Sequence, residues 1–110
     1  MAYDEDLVHR IRELLSDEEG LSEKAMFGGL AFLLDGNMSV GLSSRGGLIV
    51  RLGADATEDA LDRPHTRIFD MDARPMKGWI IVDSAWLKTK RQLAVWVRLG
   101  VEFARTLPPK

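Results

Sequence analysis

Cysteine is absent from these 110 residues. That absence excludes disulfides, iron–sulfur clusters, thiolate zinc sites and thiol nucleophiles together. Histidine is scarce: His9 and His65 stand far apart without carboxylates at ligand spacing, so no metal site is expected. No apolar run approaches the roughly 20 residues needed to span a bilayer, so no membrane partner is expected. The N-terminal stretch from Met1 to Asp6 is acidic, the reverse of a signal peptide's basic start, and the cytoplasm is the expected compartment. No internal repeat, linker or low-complexity segment divides the chain, so residues 1–110 read as one domain.

What is present suffices for a folded core. Apolar residues make up 45% of the chain and charged residues 29%, outside the range of a disordered polymer. The net charge of −2 hides an asymmetry. Residues 1–20 carry seven acids and two bases, and residues 21–62 carry six acids and three bases. Residues 63–110 carry four acids and ten bases. The acidic total speaks against a general nucleic-acid coat, whereas the basic C-terminal half leaves an anionic partner open.

Periodicity gives the elements. Leu7, Ile11, Leu14 and Leu15 form one stripe of a helix from about Asp4 to Asp17, with Asp4 as N-cap and Gly20 as stop. Three strands follow, Met26–Leu34, Met38–Ser43 and Leu48–Leu52, joined by Asp35-Gly36-Asn37 and Arg45-Gly46-Gly47. Such glycine-bearing pairs accept the positive φ of hairpin turns. Even-numbered residues of these strands, from Met26 and Leu30 through Phe32, Met38 and Val40 to Leu52, are nearly all apolar and should lie under the helices. The odd set, including Phe27, Leu33, Ile49 and Arg51, gives a mixed second face expected to stay open. Asp55-Ala56-Thr57-Glu58 reads as a capping box opening a short helix to Leu61. Thr66–Met71 and Gly78–Val82 read as a second hairpin across Asp72–Lys77. The last helix spans Lys90–Thr106, with Thr89 and Gln92 as a capping box and Pro108-Pro109 beyond its end. The order is α-β(3)-α-β(2)-α: an α+β fold, a two-layer α/β sandwich with a mainly antiparallel sheet.

Catalytic chemistry finds little support. Ser39, Ser43 and Ser44 lie in or beside a hairpin without a nucleophile elbow, and Asp70 and Asp72 read as solvated charges. Gly28-Gly29 weakens a strand unless something approaches the backbone closely; it reads either as a bend or bulge or as a contact for a partner. Arg74-Pro75-Met76-Lys77-Gly78-Trp79 combines charge, a flexible thioether and an indole in a turn, which suits either a core edge or an adaptable contact surface. Lys88, Lys90, Arg91, Arg98 and Arg105 make either a solvated helix face or a phosphate-binding one. Trp86, Trp96 and Phe103 read as partly buried, which gives little support to a base-stacking platform.

Several spaced motifs agree in order with a known family. Glu23-Lys24-Ala25-Met26-Phe27-Gly28-Gly29-Leu30-Ala31-Phe32 resembles the opening strand signature of the TfoX N-terminal domain family. Gly36-Asn37-Met38, Arg74 to Trp79, Leu93-Ala94-Val95-Trp96-Val97 and Phe103-Ala104 through Pro108 follow as that family shows. The resemblance implies a two-layer domain of α-β(3)-α-β(2)-α order, like secretion-chaperone-type folds. It also implies kinship with bacterial regulators of natural competence, in which this domain precedes a separate C-terminal one. This sequence resembles a stand-alone copy, and the resemblance transfers no catalytic residues.

The expectation is a non-enzymatic regulatory or protein-interaction module, linked to transcriptional regulation and needing no cofactor. Its partner would be another protein or a second copy, met by Lys24, Phe27, Gly28, Gly29, Leu33, Ile49, Arg51, Met76, Lys77 and Trp79. The less favoured alternatives are direct nucleic-acid binding through Lys88, Lys90 and Arg91, and a small-ligand or enzymatic site near Gly28-Gly29 and Met76 to Trp79.

Overall fold

The computed structural model describes residues 5–26, 29–43, 46–71 and 74–109. Three helices, α1 (Glu5–Leu14), α2 (Ala54–Leu61) and α3 (Lys90–Arg105), accompany six strands. These are β1 (Leu21–Met26), β2 (Gly29–Leu34), β3 (Asn37–Leu42), β4 (Leu48–Arg51), β5 (Thr66–Met71) and β6 (Arg74–Val82). The strands form one sheet in the order β1-β2-β3-β4-β6-β5, and every neighbouring pair is antiparallel. The expected α+β class and antiparallel sheet are therefore observed.

Four strands rather than three precede α2, because the segment before Gly29 makes a strand of its own. In β1 the described inward apolar side chain is Leu21, half-buried against the helix-side core, while Ser22 to Ala25 are exposed. A strand at the sheet's edge needs little burial to pair, so periodicity alone gives it no signature. Asp35 and Gly36 adopt positive φ (51° and 85°) in the β2–β3 turn, as the sequence requires.

The helices all lie on one side. Leu7, Val8, Ile11 and Leu15 beside α1, Ala60 of α2, and Leu93, Trp96 and Val97 of α3 pack on Phe32, Val40, Leu42, Leu48, Val50, Leu52, Ile80 and Val82. These sheet residues are the even-numbered ones, so the parity argument holds for this face. Gly100 permits a close approach of α3 to β3: a Cβ there would lie 2.5 Å from the Ser39 carbonyl oxygen. α3 begins with the expected box, the Thr89 hydroxyl accepting from Gln92 N–H and the Gln92 amide oxygen accepting from Thr89 N–H, each at 3.1 Å. α2 differs from expectation. Its N-cap is Gly53, no side chain caps it, and the Thr57 hydroxyl instead donates to the Gly53 carbonyl at 2.8 Å.

Polar ties fasten the outer elements. Arg12 donates two hydrogen bonds to the Glu23 carboxylate, at 2.8 and 2.7 Å, joining α1 to β1. Arg105 near the end of α3 reaches Glu18, the Glu19 carbonyl and Asp35 at 3.0, 2.8 and 3.2 Å. The buried Asn37 amide donates to the Pro108 carbonyl at 2.9 Å.

Candidate functional site

The sheet's second side carries an apolar cluster of its own. Ala31, Met38, Ile49, Phe69 and Ile81 are its buried members, with Leu33 and Trp79 packed at its margin. All seven stand on strands, and no helix contributes a described member. Met38 was expected among the helix-facing residues and is not. β2 and β3 pair Phe32 with Val40 but Leu33 with Met38, leaving Ser39 as an extra residue. The bulge reverses parity beyond it and turns Met38 to the strand-only side. Ser39 itself is buried, and its hydroxyl donates to the Phe32 carbonyl at 3.1 Å.

Register shows which residues share this side, since directly opposed positions of an antiparallel pair point the same way. One row runs Lys24, Ala31, Gly41, Ile49, Ile81, Arg67 across the whole sheet. The next carries Arg51 opposite Trp79. Of the expected contact residues, Lys24, Leu33, Arg51 and Trp79 are thus brought onto one face, the first exposed and the others half-buried.

Two expectations need correction. Ile49 has 0% exposure within the chain, so its side chain is not available to a partner, and the second face is not open grease. Gly29 serves a close approach, but an internal one: a Cβ at that position would run into the Leu42 carbonyl oxygen of β3. Phe27 and Gly28 lie outside the described residues, as do the side chains of Met76 and Lys77, whose backbone belongs to β6.

Arg51 holds the most constrained position on this face. Its guanidinium carbon lies 5.1 Å from the Trp79 ring centre and 5.4 Å from that of Phe103. Both distances are within cation–π range, so two aromatic rings, one from β6 and one from α3, fix the side chain at the end of the sheet. Sequence reasoning missed Phe103 as its second partner, because the contact is non-local. It also missed Arg67, whose place opposite Ile81 appears only with the strand register.

The basic alternative is dispersed. Lys90 and Arg91 are exposed at the start of α3, where Lys90 Nζ sits 3.8 Å from Glu13 of α1. Lys88 borders a cleft of about 450 Å3 that it shares with Asp6 and Arg10, and its carbonyl accepts from Arg10 at 3.1 Å. Trp86, expected to be partly buried, is 41% exposed and stacks on His65 with ring centres 4.4 Å apart. Among the described titratable groups, Glu23 is shifted. The hydrogen bonds from Arg12 hold its carboxyl below the usual range, partial burial opposes them, and the guanidinium charge adds to the lowering.

Helices on one side of a six-stranded antiparallel sheet, with a strand-built apolar cluster on the other, define a two-layer α+β domain whose second face is rimmed by cations and aromatics. The profile of the TfoX N-terminal domain family matches residues 13–104, and the chain belongs to that family. No curated protein matches it significantly.

Proposed function

We propose that the chain is a non-enzymatic, cytoplasmic regulatory module that acts by binding another protein, in the manner of a bacterial competence regulator's N-terminal domain. The observation that carries this reading is the gathering of Lys24, Leu33, Arg51 and Trp79 on the strand-only face. Indole and guanidinium groups at the margin of an apolar cluster are the chemistry of interface hot spots, which bind rather than react. The family's association with competence regulation supports a role in transcriptional control through such a partner. Direct nucleic-acid binding through α3 is less favoured, because Glu13 lies beside Lys90 and dilutes the local positive charge.

The test is affinity capture from native lysate with mass spectrometry, comparing the wild type with a Leu33→Asp, Trp79→Ala double variant. Partners retained by the wild type and lost by a double variant that still melts cooperatively support the reading. Identical captured sets would sink it.

A further inference from the structure

We infer that the strand-only face takes an acidic segment of its partner protein, whose carboxylates meet Lys24, Arg51 and Arg67 around Leu33 and Trp79. This inference rests on the interaction reading above and deepens it by naming the partner's chemistry.

The charge pattern of the face carries it. Lys24 and Arg67 close the two ends of one row across the sheet, and Arg51 stands in the next row opposite Trp79. None of the three forms a salt bridge among the described residues. Other arginines are engaged: Arg12 is held by Glu23, and Arg105 by Glu18 and Asp35. Glu23 pairs with Phe32 and so lies on the opposite, helix-bearing side. Asp83 borders Arg67 across a cleft of about 110 Å3, and its carboxylate, which accepts from the Ala85 N–H at 3.0 Å, is the one described negative group beside that cation. Among the described residues, Lys24, Arg51 and Arg67 therefore outnumber the carboxylate that borders this face, Asp83, in a chain whose net charge is −2.

Geometry adds to charge. Two aromatic rings within cation–π distance, Trp79 and Phe103, hold the Arg51 guanidinium at the end of the sheet, where its N–H donors suit a planar, bidentate acceptor. Two rings already restrict this side chain, so little further rotamer freedom is lost when a carboxylate docks. Five strand spacings of about 4.8 Å separate Lys24 from Arg67, about 24 Å in all, which about seven extended residues cover. Three separated cations around apolar Leu33 and Trp79 suit carboxylates alternating with apolar side chains. A phosphate backbone would want a denser cation track than three cations spread over the width of the sheet.

The experiment is an amide-resonance titration of the full chain with the capped heptapeptide Glu-Leu-Glu-Leu-Glu-Leu-Glu. A twin with Gln for Glu and an eight-residue oligothymidylate run in parallel, and light scattering on the free chain gives its mass. The acidic peptide is expected to shift the Leu33, Arg51 and Trp79 amides. It should bind at least about tenfold more tightly than the Gln twin and weaken as salt rises from about 50 to 500 mM. A Lys24→Glu, Arg67→Glu variant, changed at two exposed positions, should lose about tenfold in affinity while keeping its resonance dispersion. Equal binding of the Gln twin overturns the charge inference and leaves the interaction reading standing. Tighter oligothymidylate binding at this face makes the ligand a nucleic acid. A dimer whose own contacts shift these amides makes the occupant a second copy, and either result overturns the inference. A monomer in which no probe moves these amides overturns the inference, while the interaction reading is decided by the capture experiment.

Discussion

Gly100→Ala is the sharpest probe of how α3 sits on the sheet. The added methyl would lie 2.5 Å from the Ser39 carbonyl oxygen and 2.7 Å from Val40 Cγ1. Both are too short for a real Cβ contact, and the nearest obstacle is backbone, which cannot swing aside as a side-chain tip does. α3 must lift from β3 by several tenths of an ångström. It carries Leu93, Trp96, Val97 and Ala104 into the core, so their packing loosens with it. Against this, alanine gains about 1 kcal/mol over glycine within a helix. Overpacking of a well-filled site costs about 1–3 kcal/mol. With rigid β-sheet backbone on the other side, the upper part of that range applies and the expected net loss is about 1–2 kcal/mol. For a domain of this size that corresponds to a fall in Tm of about 4–10 °C. Urea unfolding followed by tryptophan fluorescence should show a lower midpoint with an unchanged slope, as expected when stability alone changes. Glu102→Ala, an exposed substitution on the same helix, should stay within about 0.5 kcal/mol of wild type and serves as the control. A Gly100→Ala protein as stable as the wild type, or more so, would refute the close approach of α3 to Ser39.

Two further substitutions test local devices. Thr89→Ala removes the hydroxyl that accepts from Gln92 N–H and should cost about 1 kcal/mol, read from the urea midpoint. Glu23→Gln tests the α1–β1 tie through pH. The folded-state carboxyl is held below its unfolded value, so its stabilisation is present above about pH 4.3 and is lost as pH falls through the folded value. Both partners are partly exposed, so the stability gap at pH 7 should be below about 1 kcal/mol. The gap should narrow as pH falls through the folded-state value of the Glu23 carboxyl; a gap that stays constant through acid pH would contradict the assignment.

The sequence made the helix-facing half of the fold readable, because one parity and two helical stripes carry almost all of its burial. Asp35-Gly36 and Thr89–Gln92 were legible for a local reason, since the needed φ or hydrogen bond lies within three residues. β1 was not, because Ser22 to Ala25 bury too little to set a pattern. Met38 was misplaced because the extra residue at Ser39 reverses alternation without any glycine or proline to announce it. The Asp55 box failed because the helix starts two residues earlier than that box requires, at Ala54, with Gly53 as its cap. The candidate site divides the same way. Leu33, Arg51 and Trp79 followed from parity or composition, whereas the Phe103 ring over Arg51 and the row joining Lys24 to Arg67 depend on pairings between distant segments.

The Arg105 ties have a consequence for biosynthesis. One guanidinium fastens the end of α3 to the segment after α1 and to the β2–β3 turn, partners 70 to 87 positions earlier. A chain emerging N-terminus first from the ribosome lacks this clasp, and lacks the α3 side of its core, until the last helix has cleared the exit tunnel. Nascent chains halted before Lys90 are therefore expected to expose Phe32, Val40 and Val50 to chaperones, and cooperative folding waits for α3.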